Sequence, residues 1–221
     1  TLQVAQGQTL SFVGGNTGFT YINPDTGIRS STSLPDGVTM TGGKLLAHGG
    51  QINVASVASP GEVSAVDFMP TSGMTMGDIT LSQGATLDVS DNAAGTVRIR
   101  GGQFELRNSS VHADTGEAPG AETAIDVYVT GDLSISNDGV SASSDSVSAF
   151  TARALGSGNA GETRLDSAKM DVNIVFPEFG VVIDSSTIGS GNAGKVTVTT
   201  GDLKAVNAST DGFGLFIDSG T

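Results

Sequence analysis

The segment Gly156-Ser157-Gly158-Asn159-Ala160-Gly161 occurs a second time at 189–194, with the same residues in the same order. A weaker form of this block is found at 91–95. The surrounding residues align as well, and four segments fit one template, with starts at 102, 131, 168 and 201. These starts are separated by 29, 37 and 33 residues. A repeat of this length is typical of a solenoid, in which each copy is one structural unit.

Each copy of the template alternates apolar and polar residues, which predicts a β-strand with one buried face. The first apolar position is occupied in the four copies by Phe104, Leu133, Met170 and Leu203, and the second by Leu106, Ile135, Val172 and Ala205. Further strand-like runs flank the template at 97–99, 125–129 and 196–198 upstream, and at 111–113, 140–142, 182–183 and 216–217 downstream. Each repeat is therefore predicted to contain three short strands, and the first apolar position to form one buried interior column.

A single set of three strands cannot bury its apolar face, whereas copies stacked in register can. Turn residues are frequent, and no helix connects the strands in the pattern. The sequence therefore predicts an all-β protein folded as a right-handed parallel β-helix. The alternative is a β-sandwich, which would use antiparallel hairpins at the Asp-Gly pairs 36–37, 138–139 and 211–212.

The repeats indicate one continuous domain over 1–221, as a fragment of a larger chain. Residues 91–221 carry the repeats, and residues 1–90 form less regular coils. The stretches 17–39 and 56–77 contain four of the six prolines, and we expect them to leave the stack as excursions, as hairpins laid on its side. Because both ends of the chain fall in strand-like residues, we expect continuation into further coils or end-to-end stacking of subunits, with lateral contacts through the excursions.

The composition limits the classes of partner and chemistry. The net charge is −13, from 23 acidic and 10 basic residues. This negative field repels nucleic acids and anionic lipids, so we expect no nucleic-acid partner. No apolar run is long enough to span a membrane, and membrane insertion is not expected. The chain has no cysteine, which excludes thiolate–metal chemistry. Carboxylate-rich turns leave a calcium site open as the metal alternative.

Paired carboxylates are the main candidates for catalysis, because a glycosidase needs two of them facing one cleft. Asp166 with Asp171, and Asp184 with Asp218 at a 34-residue offset, could approach one another across neighbouring coils. Equivalent positions in successive repeats are more simply explained as solvated turn residues. A polysaccharide-acting β-helix lyase or hydrolase is therefore the alternative function, and the sequence favours a protein that is not an enzyme.

The remaining motifs also favour structural roles. His48 and His112 are 64 residues apart and belong to no Ser-His-Asp pattern, so we expect exposed strand or turn positions. The block at 156–161 lacks the Lys-Ser/Thr of a phosphate-binding loop and precedes a strand, so we expect a turn. No catalytic residue and no cofactor are predicted.

Residues 8–15, residues 43–52 and the two Gly-Ser-Gly-Asn-Ala-Gly blocks resemble the filamentous-haemagglutinin-like exoproteins of two-partner secretion, in particular large repeat-bearing members of the surface-layer type. The resemblance extends over nearly the whole chain. It implies a right-handed β-helix, export through a dedicated outer-membrane transporter, and a location outside the cell or on its surface. The implied roles are adhesion, aggregation, surface layers or filaments. The implied partners are the transporter, further copies of the chain, and a host or matrix glycan.

The secretion motif of that family, Asn-Pro-Asn-Gly-Ile, has a partial counterpart at 23–28. The residues there read Asn-Pro-Asp-Thr-Gly-Ile, with one residue more than the family's motif. We therefore do not carry the secretion role onto these residues.

Overall fold

The computed structural model describes residues 1–15, 37–138, 148–175, 180–208 and 214–220, and the backbone alone of 19–22 and 29–32. Within these ranges the chain forms strands and contains no helix. In chain order the strands are β1 (Leu2–Gln3), β2 (Thr9–Gly15), β3 (Phe19–Ile22), β4 (Arg29–Thr32), β5 (Gly37–Thr41), β6 (Lys44–Leu46), β7 (Gln51–Val57), β8 (Asp78–Ser82), β9 (Thr86–Asp88), β10 (Thr96–Gly101), β11 (Phe104–Arg107), β12 (Ser110–His112), β13 (Thr123–Val129), β14 (Asp132–Asn137), β15 (Ser148–Thr151), β16 (Glu162–Ile174), β17 (Val181–Asp184), β18 (Val196–Asn207) and β19 (Leu215–Asp218).

Two large sheets contain nearly all of these strands. A seven-stranded sheet has the order β1-β6-β9-β12-β15-β17-β19. A ten-stranded sheet has the order β2-β7-β10-β13-β16-β14-β11-β8-β5, with β18 on the other edge of β16. Every strand pair in both sheets is parallel. The all-β prediction with parallel sheets is confirmed, and the antiparallel sandwich is excluded.

The ten-stranded sheet divides into two columns of stacked strands. The long strand β16 pairs with β13 through its first half and with β14 through its second half. We call the β2-β7-β10-β13 side column 1, the β5-β8-β11-β14 side column 2, and the seven-stranded sheet column 3. Leaving aside the β3–β4 pair, the chain passes through columns 1, 2 and 3 in the same order on each pass.

The predicted strand registers are confirmed in column 2. Phe104 pairs with Leu133, Leu133 with Met170, and Met170 with Leu203. The first three side chains are buried, but Leu203 is 49% exposed. The predicted burial of Leu203 is therefore wrong: among the described strands β18 pairs only with β16, so no described strand covers its outer side.

One apolar core is shared by the three columns. It includes Val54 of column 1, Leu106 of column 2 and Ile183 of column 3. The rings of Phe104 and Phe150 meet edge to face, with their centroids 6.3 Å apart, and join columns 2 and 3. Inward residues of every column are therefore fixed by packing, and functional side chains have to come from the outward rows and the turns.

One strand of column 3, β15, was not among the strands that the sequence predicted. Residues 140–142 were expected to form the third strand of their repeat, and they lie outside the described residues. The strand that pairs with β12 is β15, at Ser148–Thr151. Of the Asp-Gly pairs expected in the sandwich alternative, Asp36, Gly139 and 211–212 also lie outside the described residues.

Both irregular stretches branch from the connection between columns 1 and 2. In the stretch 17–39, the strands β3 and β4 pair with each other in antiparallel fashion. The last residues of this stretch, from Gly37, belong to β5 and therefore to column 2. Between β7 and β8, antiparallel bridges join Val57 to Met76 and Val63 to Pro70. We call residues 58–75 the arm. On the next pass the same connection is short, from the end of β10 at Gly101 to the start of β11 at Phe104.

Candidate functional site

The Gly-Ser-Gly-Asn-Ala-Gly blocks form stacked bends between column 3 and column 1. The backbone N–H of Gly158 donates to the carbonyl oxygen of Gly116 in the bend below, at 2.9 Å. A Cβ atom added at Gly158 would lie 2.3 Å from the carbonyl oxygen of Ala118, and one at Gly191 would lie 1.8 Å from that of Gly158. Only glycine allows such close approach. The stacking of the bends therefore explains why both copies of the block have glycine at the same positions.

Side chains extend the same stack. The Oδ1 atom of Asn159 accepts hydrogen bonds from the backbone N–H and the Nδ2 atom of Asn192, both at 3.0 Å. One bend lower, the Oε2 atom of Glu117 accepts from the Ser157 hydroxyl at 2.7 Å. This hydrogen bond, with a second one from the Ser157 backbone, lowers the pKa of Glu117. The blocks are thus bends that hydrogen-bond to one another.

Of the two predicted carboxylate pairs, Asp184 and Asp218 are neighbours in column 3, where they are paired across β17 and β19. Each accepts, through Oδ1, the backbone N–H two residues further along the chain at 2.8 Å, and Asp88 does the same in an earlier pass. These aspartates therefore close the turn after the strand, as expected of short polar side chains at turns.

The second pair is not brought together. Asp166 lies in column 1, opposite Tyr128, whereas Asp171 lies in column 2, opposite Ser134. The ammonium group of Lys169 bonds the Asp171 carboxylate, and this hydrogen bond raises the pKa of Lys169. A shared cleft for these two carboxylates is therefore absent.

A polar network on column 3 was missed by the sequence. His112 and Thr151 are register partners, and the Nδ1 atom of His112 lies 2.8 Å from the Thr151 Oγ1 atom. Two residues beyond the ends of these strands, the Arg153 Nη2 atom donates to Asp114 Oδ2 at 2.7 Å, and the backbone N–H of Arg153 donates to Asp114 Oδ1 at 2.9 Å. In the passes on either side, Asp88 and Asp184 occupy the position of His112. The network therefore replaces the repeated aspartate turn in two adjacent passes.

Burial and charge set the protonation of this network. Burial lowers the pKa of His112, and the negative charges of Asp114 and Asp88 only partly oppose this effect. Burial by itself would raise the pKa of Asp114, but the hydrogen bonds and positive charge of Arg153 outweigh it, so the pKa is lowered. At neutral pH the network therefore contains a neutral imidazole beside an ion pair.

The histidines are not at the exposed positions that we expected. His112 is half-buried in this network. His48 is half-buried in the turn that follows β6, with Nδ1 2.7 Å from the carbonyl oxygen of Ser90. The register of β12 and β15 places Thr151 beside His112 although they are 39 residues apart, and this register depends on a strand that the sequence pattern does not indicate.

Arg100 fixes the arm to column 1. Its side chain is 2% exposed, and its Nη2 atom lies 2.5 Å from Asp126 Oδ2. The same nitrogen donates to the carbonyl oxygen of Asp67, in the arm, at 3.0 Å. Arg100 Nε is buried and has no partner among the described residues. A buried guanidinium is costly unless it is paired, so its placement here fixes the arm in one position.

Residues 64–69, which we call the tip, form a tight hydrogen-bonded turn at the end of the arm. The backbone N–H of Ser64 donates to the Met69 carbonyl oxygen at 2.9 Å, and that of Phe68 donates to the Ser64 carbonyl oxygen at 3.1 Å. The Ser64 hydroxyl accepts from the N–H of Val66 at 3.2 Å. Phe68 is buried with a φ of 60°, whereas Val66 is 85% exposed. The tip is therefore a rigid turn that presents an apolar side chain to solvent.

The described residues offer no preformed metal centre. No group of three or more His, Asp or Glu side chains among them is placed to hold a metal ion. Over the same part of the chain, no helix has the length and apolar character needed to cross a membrane. The partial secretion motif at 23–28 lies outside the described residues.

Comparison of the chain with protein-family models, with curated proteins and with solved structures gave no match. The function is therefore argued from the residues and their geometry.

Proposed function

We propose that this chain is a structural segment of a secreted or cell-surface bacterial exoprotein, folded as a right-handed parallel β-helix. The supporting observation is the constant order in which the chain passes through three columns of parallel strands. A coil is the simplest path that satisfies this order without helical crossovers. Its right-handedness follows from the general handedness of parallel crossover connections.

The contacts that the polar side chains make support a structural role. The carboxylates of column 3 close turns, and the glycine blocks stack their bends. The His112 network is internally satisfied, with each ionised group paired within it. A catalytic centre instead needs groups directed at a reacting atom, and fold alone does not supply them.

The location and partners of the segment follow from its resemblance to two-partner secretion exoproteins. In this proposal the parent chain leaves the cell through a dedicated outer-membrane transporter. The stack then acts as a stiff acidic spacer in adhesion, aggregation or a surface layer, with a host or matrix glycan or further copies as partners. The net charge of −13 keeps such a spacer soluble and separates it from nucleic acid and anionic lipid.

Protease treatment of intact producing cells, followed by mass spectrometry of the released peptides, tests this location. Peptides of this chain are expected in the surface or culture-fluid fraction, while cytoplasmic marker proteins stay intact. Recovery of the chain only after cell lysis would overturn the proposal. A crystal structure tests the coil itself, and any path other than a right-handed coil would refute it.

One observation keeps the enzyme alternative testable: Asp184 and Asp218 lie side by side on column 3. The protein would be incubated with neutral and acidic polysaccharides, with reducing ends and unsaturated products as readouts. We expect no release. Product formation that is lost in Asp184→Asn or Asp218→Asn would replace the structural proposal with a polysaccharide-acting enzyme.

A further inference from the structure

We draw no further inference here: the strongest candidate, the groove on the outer face of column 2 that is lined by Asp78, Glu105, Asp132 and Asp171, is a cluster of carboxylates at which nothing among the described residues points to a ligand.

Discussion

Replacing Gly158 by alanine tests the stacked bends most directly. The added Cβ atom would lie 2.3 Å from the Ala118 carbonyl oxygen and 2.7 Å from that of Gly116. An ordinary contact begins at 3.4 Å, so the bends would have to separate by about 1 Å. The bend above blocks this movement, since the Gly158 carbonyl oxygen lies only 1.8 Å from where a Cβ of Gly191 would be. Overpacking of this type costs about 1–3 kcal/mol, and we expect about 3 kcal/mol because the clashing atoms belong to the backbone.

For a chain of this size, that loss corresponds to a melting temperature lower by roughly 6–12 °C. Gly214→Ala is the matched control, because its added Cβ would have its nearest neighbour, Asn207 Nδ2, at 3.9 Å. Both substitutions restrict the unfolded chain equally, so their difference isolates the clash. Urea unfolding followed by circular dichroism, together with thermal melting, gives the comparison. Equal urea midpoints for the two variants would refute the stacking of the bends.

Three further predictions follow from burial and charge. Leu133→Ala should lower the free energy of unfolding by about 3 kcal/mol and Leu203→Ala by less than half as much, because only Leu133 is fully buried. Urea titrations of both variants measure these losses, and equal losses would contradict the prediction. The pKa of His112 is lowered from 6.5, so the folded state resists protonation, and stability should fall as the pH decreases below 6.5. The free energy of unfolding should therefore differ less between about pH 7.5 and 5.5 in His112→Gln than in the wild type. If this difference is the same in both proteins, the pH dependence comes from other groups. Arg100→Gln should release the arm and accelerate chymotryptic cleavage after Phe68, which is buried in the wild type; an unchanged cleavage rate would show that Arg100 does not hold the arm.

The sequence predicted the parallel stacking because two independent signals agreed. Alternation gave the strands, and the repeated block gave the register that aligns Phe104 with Leu133 and Met170. The same signals could not predict the exposure of Leu203. Its position in the repeat is that of a core residue. Its exposure depends on whether another strand lies above β18, and the repeat pattern carries no information about that.

The features that the sequence missed depend on contacts between passes of unequal length. The strand at Ser148–Thr151 reads Ser-Ala-Phe-Thr, which does not alternate apolar and polar residues, so the alternation pattern does not identify it as a strand. Without that strand, the pairing of Thr151 with His112 could not be found. Arg100 is a second case: it occupies an outward position of an alternating strand, and its burial results from the arm that lies over it.

The base of the arm explains how the stack tolerates such an insertion. Ala58 donates its backbone N–H to the Thr75 carbonyl oxygen at 2.8 Å, and the N–H of Gly77 donates to the Ser56 carbonyl oxygen at 2.9 Å. The two ends of the arm therefore meet where the later, shorter connection also turns, and β8 continues in register with β11. Because the insertion closes on itself, the columns keep the same registers with or without it, and closing a longer loop adds little entropic cost. Surface arms and outward rows can thus vary while the columns stay constant, and differences in function between segments of this kind are expected to reside in those variable parts.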